Sequence, residues 1–403
     1  MKDPLLKVKY GLPDEVHYCR RCVMSNQKPL TSIEYKNVDG KRNYIDFDEV
    51  GVCAACRYEE IKRKIDWKER EEKLKELLTR YRKSDGSYDV IVPVSGGKDS
   101  TYAAWMLKYK YDMHPLTVMW APHIWRRVGW ENLQRMIHVG GFDNILSTPN
   151  GIVHRLLTRL AFIKMLHPFQ PFVFGQKNLG PRMSVGLNVP LVMYGESNIE
   201  YGDPLEEGND EVMQESYYAA ERDLDQIFLG GISADKILID YDLHPNDLKA
   251  YLPVESKKLA QTNTQVHYLG HYLPWDPQEC YYFAVEKTGL QAAAERSEGT
   301  YSKYTELDDK LPPLNFYTMH VKYGVGRAMY DASQEIRNGK IKRDEGVALV
   351  NKFDGESPKM YLTETLEYLK MDKKEFDGIC DKFRSEHLWK NENGEWVLRH
   401  PCE

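Results

Sequence analysis

The sequence predicts an α/β protein: a doubly wound parallel sheet, with a zinc-ribbon-like cysteine module before it and a mainly helical region after it. Three observations carry this expectation. An apolar run, Tyr88-Asp89-Val90-Ile91-Val92-Pro93-Val94, ends on the glycine loop Ser95-Gly96-Gly97-Lys98-Asp99-Ser100. From there to about residue 240, short apolar segments alternate with helical ones, which is the pattern of parallel strands joined by crossover helices. Two C-x-x-C pairs, Cys19/Cys22 and Cys53/Cys56, stand upstream of the loop.

Four stretches follow in chain order. Residues 1–57 hold the cysteine pairs. Ile33-Glu34-Tyr35-Lys36, the turn Asp39-Gly40 and Tyr44-Ile45-Asp46-Phe47 suggest a hairpin between them. Residues 58–84 are charged and periodic, with Ile61, Ile65, Leu74, Leu77 and Leu78 near helical spacing, and read as a helix or helix pair. Residues 85–240 carry candidate strands at Val90 to Val94, Leu116 to Trp120, Asn144 to Ser147 and Leu191 to Tyr194. Residues 241–403 read as short helices and loops, with Asp372-Lys373-Lys374-Glu375 as a capping box before Phe376.

The glycine loop has a specific physical use. A strand, a glycine turn and a helix start aim unpaired backbone N–H groups and a positive dipole end at an anion. Gly96 and Gly97 permit the tight turn, Ser95 and Ser100 add hydroxyls, and Lys98 adds a charge. Asp99 is a carboxylate inside an anion cradle, a place suited to holding a magnesium ion that bridges phosphate oxygens. The mononucleotide loop G-x-x-x-x-G-K-[ST] does not fit, because no glycine stands at Asp89, Val90 or Ile91. The dinucleotide fingerprint is absent as well. What remains, S-G-G-x-D-S, resembles the loop of ATP pyrophosphatase-type enzymes, which split ATP between its α- and β-phosphates. Ligands of such sheets lie beyond the carboxyl ends of the strands, where Asp99, Trp120 and Gly195-Glu196-Ser197-Asn198 fall.

The cysteine spacing predicts a tetrahedral four-thiolate site, structural rather than catalytic. Disulfides are the competing reading, and nothing marks the chain as secreted. A redox C-x-x-C would open a helix within a βαβ unit, and neither pair does. His267 and His271 share an i, i+4 spacing without an H-E-x-x-H pattern and are not read as metal ligands.

Composition is that of a cytoplasmic enzyme of two or three domains. The chain has 403 residues, 42% hydrophobic and 29% charged, with a net charge of −6. That acidic balance argues against a dedicated nucleic-acid binder. The first residues lack a signal-peptide core, and no apolar stretch approaches the length of a membrane span.

Taken together, these residues resemble the N-acetyl sugar amidotransferase family over nearly the whole chain. The likeness lies in Tyr18-Cys19-Arg20-Arg21-Cys22-Val23-Met24, in Cys53 and Cys56, in Val94 to Ser100 and in Tyr194-Gly195-Glu196-Ser197-Asn198. It continues through Gly299-Thr300-Tyr301-Ser302-Lys303-Tyr304, Asp308-Asp309-Lys310, His320 to Arg327 and Glu335 to Gly346. The resemblance implies an enzyme of surface polysaccharide or lipopolysaccharide biosynthesis. Its substrate would be a nucleotide-activated acetamido sugar, converted to an acetamidino sugar. The amide oxygen would attack the ATP α-phosphate, and ammonia would displace AMP from the adenylated imidate. Lys98 and Asp99 would be catalytic. Ser95, Gly96, Gly97, Lys98, Asp99, Ser100, Trp120, Gly195 and Glu196 would bind ATP, with magnesium on Asp99 and zinc on Cys19, Cys22, Cys53 and Cys56.

Four substrate candidates stand in the later segments. Asn198, like Glu196, stands where a nucleotide or its metal would lie, and equally where a helix cap would lie. Lys303, Lys322 and Arg327 offer charges for substrate or nucleotide phosphates, with surface solvation the alternative for the last two. None of Cys280, Cys380 and Cys402 sits in a glutaminase-like setting, so the resemblance implies ammonia from a separate glutaminase subunit and an ammonia-channelling partner. The alternative is tRNA thiolation, which adenylates a base carbonyl. It would need a cysteine or iron–sulfur cluster near the ATP site, and no cysteine lies between Cys56 and Cys280.

Overall fold

The computed structural model describes residues 6–30, 34–37, 43–196, 198–203, 211–219 and 223–403, with the side chains of Asn198 and Tyr217 excepted. Two helices, α1 (Ala54–Lys62) and α2 (Trp67–Tyr81), lead into the sheet. Asp66 caps α2 by accepting from the N–H groups of Lys68 and Glu69, which is why the periodic stretch breaks into a pair. The sheet strands are β1 (Val90–Pro93), β2 (Pro115–Trp120), β3 (Asp143–Ser147), β4 (Leu191–Tyr194) and β5 (Gln265–Tyr268). They are all parallel, in the order β3-β2-β1-β4-β5. The order reverses between β1 and β4, so the loop after β1 and the segment after β4 meet at the switch point.

The crossovers are α3 (Lys98–Trp105), α4 (Arg127–His138), α5 (Gly151–Met165) and α6 (Gln170–Leu187). Strand alternation sends side chains to opposite faces. Val90, Val92, Leu191 and Met193 pack with residues of α2, α3 and α4, whereas Ile91, Leu116, Val118 and Val192 pack with α5 and α6. Two apolar layers therefore sandwich a sheet whose central strands are buried on both sides.

β5 lies beyond residue 240, the expected end of the sheet region. Its sequence, Gln265-Val266-His267-Tyr268, lacks the continuous apolar run that marks the other strands. After the short turn of helix Leu269–Tyr272 come the longer helices α7 (Pro277–Thr288), α8 (Pro312–Tyr323), α9 (Arg327–Arg337), α10 (Arg343–Phe353), α11 (Leu362–Leu369) and α12 (Lys373–Phe383). Asp372 caps α12, accepting from the Glu375 N–H at 2.7 Å. An antiparallel hairpin, β6 (Trp389–Glu392) and β7 (Glu395–Leu398), closes the chain.

The cysteine module docks on this C-terminal region and also reaches the sheet's helical layer, where Tyr35 meets the Phe174 ring of α6. Val23, Ile45 and Val52 share a core with Tyr323, Met329 and Val350. Ile33 and the turn Asp39-Gly40 of the expected hairpin lie outside the described residues, while Tyr44 bridges Pro29 and Phe47 bridges Cys53. Among the described residues, no helix is long and apolar enough to cross a membrane.

Candidate active site and four-cysteine centre

The loop after β1 is built to turn and stop. Gly96 has φ +72°, and a Cβ there would meet the Leu133 backbone at 3.0 Å. Ser95 and Ser100 brace the loop: the Gly97 N–H donates to Ser95 Oγ at 3.3 Å, and the Ser95 N–H donates to Ser100 Oγ at 3.2 Å. Gly97 then stands at the N-cap of α3, whose first two residues are Lys98 and Asp99.

Lys98 and Asp99 form an ion pair that lines a cleft of ≈ 280 Å³. Burial works against the Lys98 charge, but Asp99 and Glu196 outweigh it and hold the ammonium above its ordinary range. Gly195, at the end of β4, lets the Trp275 ring and the Asp99 carbonyl approach; a Cβ would lie 2.9 Å from the ring. Glu196 faces the same pair and accepts a hydrogen bond from the Tyr201 hydroxyl at 2.5 Å. Burial, reinforced by the Asp99 charge, pushes its carboxyl up to about 7.

The far wall comes from the C-terminal region. Glu306, Asp308 and Arg327 face the loop across the cleft. Arg327, the first residue of α9, donates to Asp331 at 2.9 Å and to Glu306 at 3.2 Å. Asp354 holds that helix start, accepting from the N–H groups of Gly326, Ala328 and Met329 at 3.1, 2.8 and 3.3 Å. The Asp308 carboxyl is pushed up to about 8 by burial and then by Glu306 and Asp309. Its neighbour Asp309 clamps the two halves, accepting from the His123 and Ile124 N–H groups at 2.8 and 3.1 Å. Among the described residues, four carboxyl groups thus face two cations, and Asp99 Oδ1 is buried without a hydrogen-bond partner. A polyphosphate enters such a site with divalent cations, and an oxygen-only donor set with an unmet carboxylate oxygen fits magnesium.

Close backbone approach seals the cleft. A Cβ on Gly129 would sit 2.2 Å from Asp308 Cα. Gly129→Ala is expected to push α4 off that loop and to cost roughly 1–3 kcal/mol, read as a lowered melting temperature.

The structure places the candidates unevenly. Ser95, Gly96, Gly97, Lys98, Asp99, Glu196 and Arg327 share the cleft, with Gly195 and Ser100 directly beneath. Trp120 does not belong to it. Its side chain points to the α5/α6 layer, rests on Gly175 and meets the rings of His154 and Tyr251 edge-on. Lys322 is 1% exposed and donates to Glu34, Asn37 and the Met165 carbonyl, pinning the cysteine module to α5 and α8. Lys303 is exposed and donates to the Ala294 carbonyl at 2.9 Å; the next residue, Tyr304, is the one that reaches the cleft. Asn198 opens a short 3-10 turn, and its side chain lies outside the described residues. His267 and His271 serve separate partners, Tyr272 and Arg70. Residues that sequence reasoning missed are Gln176, Tyr201, Phe169, Phe172, Glu306 and Asp308. Of these only Asp308 carried a signal, beside Asp309 and Lys310.

The second centre is the cysteine set. The sulfurs of Cys19, Cys22, Cys53 and Cys56 all lie within 4.8 Å of one another, and all four residues are buried. Sγ separations of 3.9 Å (Cys19–Cys56) and 3.7 Å (Cys22–Cys53) match the edge of about 3.8 Å expected for a tetrahedron with metal–sulfur bonds of about 2.3 Å. N–H groups of Arg21, Met24 and Cys53 point at the sulfurs, as suits thiolate ligands. Arg343 of α10 donates to the Cys19 and Cys22 carbonyls, locking the knuckle to the C-terminal region.

A stretch of 78 residues is 31% identical to an uncharacterized protein of Methanocaldococcus jannaschii, covering 19% of this chain and 28% of that protein's length. Among solved structures, the U34-tRNA thiolase NcsA from Methanococcus maripaludis, with its [4Fe-4S] cluster, is 13% identical over 80% of this chain and 86% of its own, with a TM-score of 0.33. The NH3-dependent NAD synthetase from Campylobacter jejuni is 15% identical over 56% of this chain and 94% of its own, with a TM-score of 0.28. Residues 298–400, which supply Glu306, Asp308 and Arg327 to the cleft, match the family model described as LPS biosynthesis protein WbpG-like, C-terminal domain.

Proposed function

We propose that this protein is an ATP-dependent amidotransferase that converts an acetamido group of a nucleotide-activated sugar into an acetamidino group, in surface polysaccharide biosynthesis. One observation supports the reading above the others: the glycine loop and three charged residues of the WbpG-like region face each other across one cleft.

An amide carbonyl is a poor electrophile, and its oxygen will not leave as oxide. In the proposed reaction that oxygen attacks the ATP α-phosphate, forming an O–P bond while the bond to pyrophosphate breaks. Ammonia adds to the imidate carbon, and the C–O bond to AMP breaks. The loop N–H groups and Lys98 would hold the leaving pyrophosphate. Magnesium, held by Asp99 with Glu196 beside it, would neutralise phosphate charge. Arg327 would take the remaining phosphate charge from the opposite wall. Asp308, with its raised pKa, is suited to take the proton that the attacking ammonia releases. The four cysteines would hold a structural zinc ion.

Ammonia is assigned to a separate glutaminase subunit. Burial pushes the thiols of Cys280, Cys380 and Cys402 up, with Cys380 and Cys402 at about 12, the opposite of an activated nucleophile. The second reading, thiolation of a tRNA base, would need Cys280 as its reactive thiol, and burial, reinforced by the Asp99 charge, pushes that thiol up.

The test incubates the protein with ATP, magnesium, ammonium and a panel of UDP- and CMP-linked diacetamido sugars, followed by mass spectrometry. AMP formed together with replacement of one amide oxygen by NH supports the proposal. Turnover only with tRNA and a sulfur donor would overturn it in favour of thiolation. A pH profile gives a further check. Glu196 is neutral below about 7 and charged above it, so kcat/KM for ATP should rise with pH through that value. Glu196→Gln should remove that limb and leave the later one set by Asp308, near 8.

A further inference from the structure

A second cavity, of ≈ 410 Å³, opens between α8, the end of α10 and the β6–β7 hairpin, and it shares no lining residue with the ATP cleft. Arg384 lines it, with its guanidinium carbon 5.4 Å from the Trp389 ring and 5.1 Å from the Trp396 ring. Arg384 Nη1 pairs with Asp381 at 2.5 Å and Nη2 reaches the Tyr317 hydroxyl at 3.3 Å, but Nε has no partner among the described residues although the residue is only 9% exposed. His320 stands edge-on to Trp389, is 7% exposed, and its Nδ1 also lacks a partner among the described residues. Burial, then the Arg384 charge, lowers the His320 pKa to about 4, so the ring is a neutral donor and acceptor. Buried nitrogens without partners cost stability unless something completes them. Asp354 also lines this cavity, but its carboxyl oxygens are occupied by the three N–H groups of the α9 start.

A cation flanked by two indole faces, with neutral hydrogen-bonding groups beside it, suits a ring that has an apolar face, hydroxyls and one negative charge. We propose that this cavity is a binding site for an anionic sugar, a pyranose carrying a carboxylate or phosphate, stacked on Trp396 with its anion directed to Arg384. The site is independent of the reaction assigned to the ATP cleft.

The test titrates the full metal-loaded chain with glucuronate, with glucose 1-phosphate and with uncharged glucose, followed by calorimetry and tryptophan fluorescence. At least one anionic sugar should bind and change the emission, and glucose should bind more weakly. Binding of glucuronate alone assigns a carboxylate, and binding of glucose 1-phosphate alone assigns a phosphate. Arg384→Gln should weaken binding by about tenfold or more. Trp396 is 37% exposed on the hairpin, so Trp396→Ala tests the stacking without opening the core. Absence of binding by both anionic sugars, equal binding of glucose, or affinity unchanged in both variants would overturn the proposal.

Discussion

Asp99→Asn is expected to lower ATP-dependent AMP formation by roughly 10²–10³-fold while leaving metal bound at the four cysteines untouched. Asp99 is the second residue of α3, pairs with Lys98, and presents a buried Oδ1 that no group among the described residues satisfies. The asparagine keeps the shape of the side chain but loses the charge that holds a divalent cation. It also removes the partner that keeps Lys98 above its ordinary range against burial. Steady-state kinetics over a magnesium series, beside a metal assay of the same preparation, checks both halves. Turnover equal to the parent chain would contradict the assignment, as would loss of the cysteine-bound metal.

Cys53→Ser should have the largest effect on stability. Cys53 touches the other three sulfurs' site from the N-cap of α1, and its own N–H donates to Cys19 Sγ at 3.3 Å. Apparent binding free energies of structural zinc sites are about 10–16 kcal/mol, and that energy is folding energy. The loss extends beyond the module, because Val23 and Val52 share a core with Met329 and Val350 and Arg343 grips the knuckle. The expected result is metal content well below that of the parent chain, together with a lowered melting temperature. Because α9 starts beside this core and carries Arg327 into the cleft, ATP turnover should fall with it. Full metal content in the variant would contradict the four-thiolate site.

The parts legible in the sequence are those whose chemistry is local. The 95–100 loop reads directly, because the strand, glycine turn and helix that make an anion site are contiguous. The cysteine pairs read equally well, since their spacing alone restricts the metal geometry. Trp120 shows the limit. Its place at a strand end is legible, but side chains alternate across the sheet, and the parity that sends it to the α6 layer is set by packing on Gly175. Lys322 shows another: its glycine-punctuated surroundings suggest a phosphate grip, yet its partner Glu34 lies 288 residues away. Glu306 and Asp308 reach the cleft because Asp309, together with Arg126, fastens their loop to the segment after β2; His123 and Asp309 lie 186 residues apart. β5 was illegible because Gln265 and His267 break its apolar pattern, and tertiary pairing with β4 makes it a strand.

The central claim, that an amide oxygen of a sugar is activated by attack on ATP, is tested most directly by following that oxygen. A diacetamido sugar nucleotide labelled with heavy oxygen in its amide groups would be incubated with the protein, ATP, magnesium and ammonium, and the AMP analysed by mass spectrometry. Heavy oxygen recovered in AMP, in equal amount to the amidine formed, is the predicted result. Amidine formed with unlabelled AMP would contradict the account.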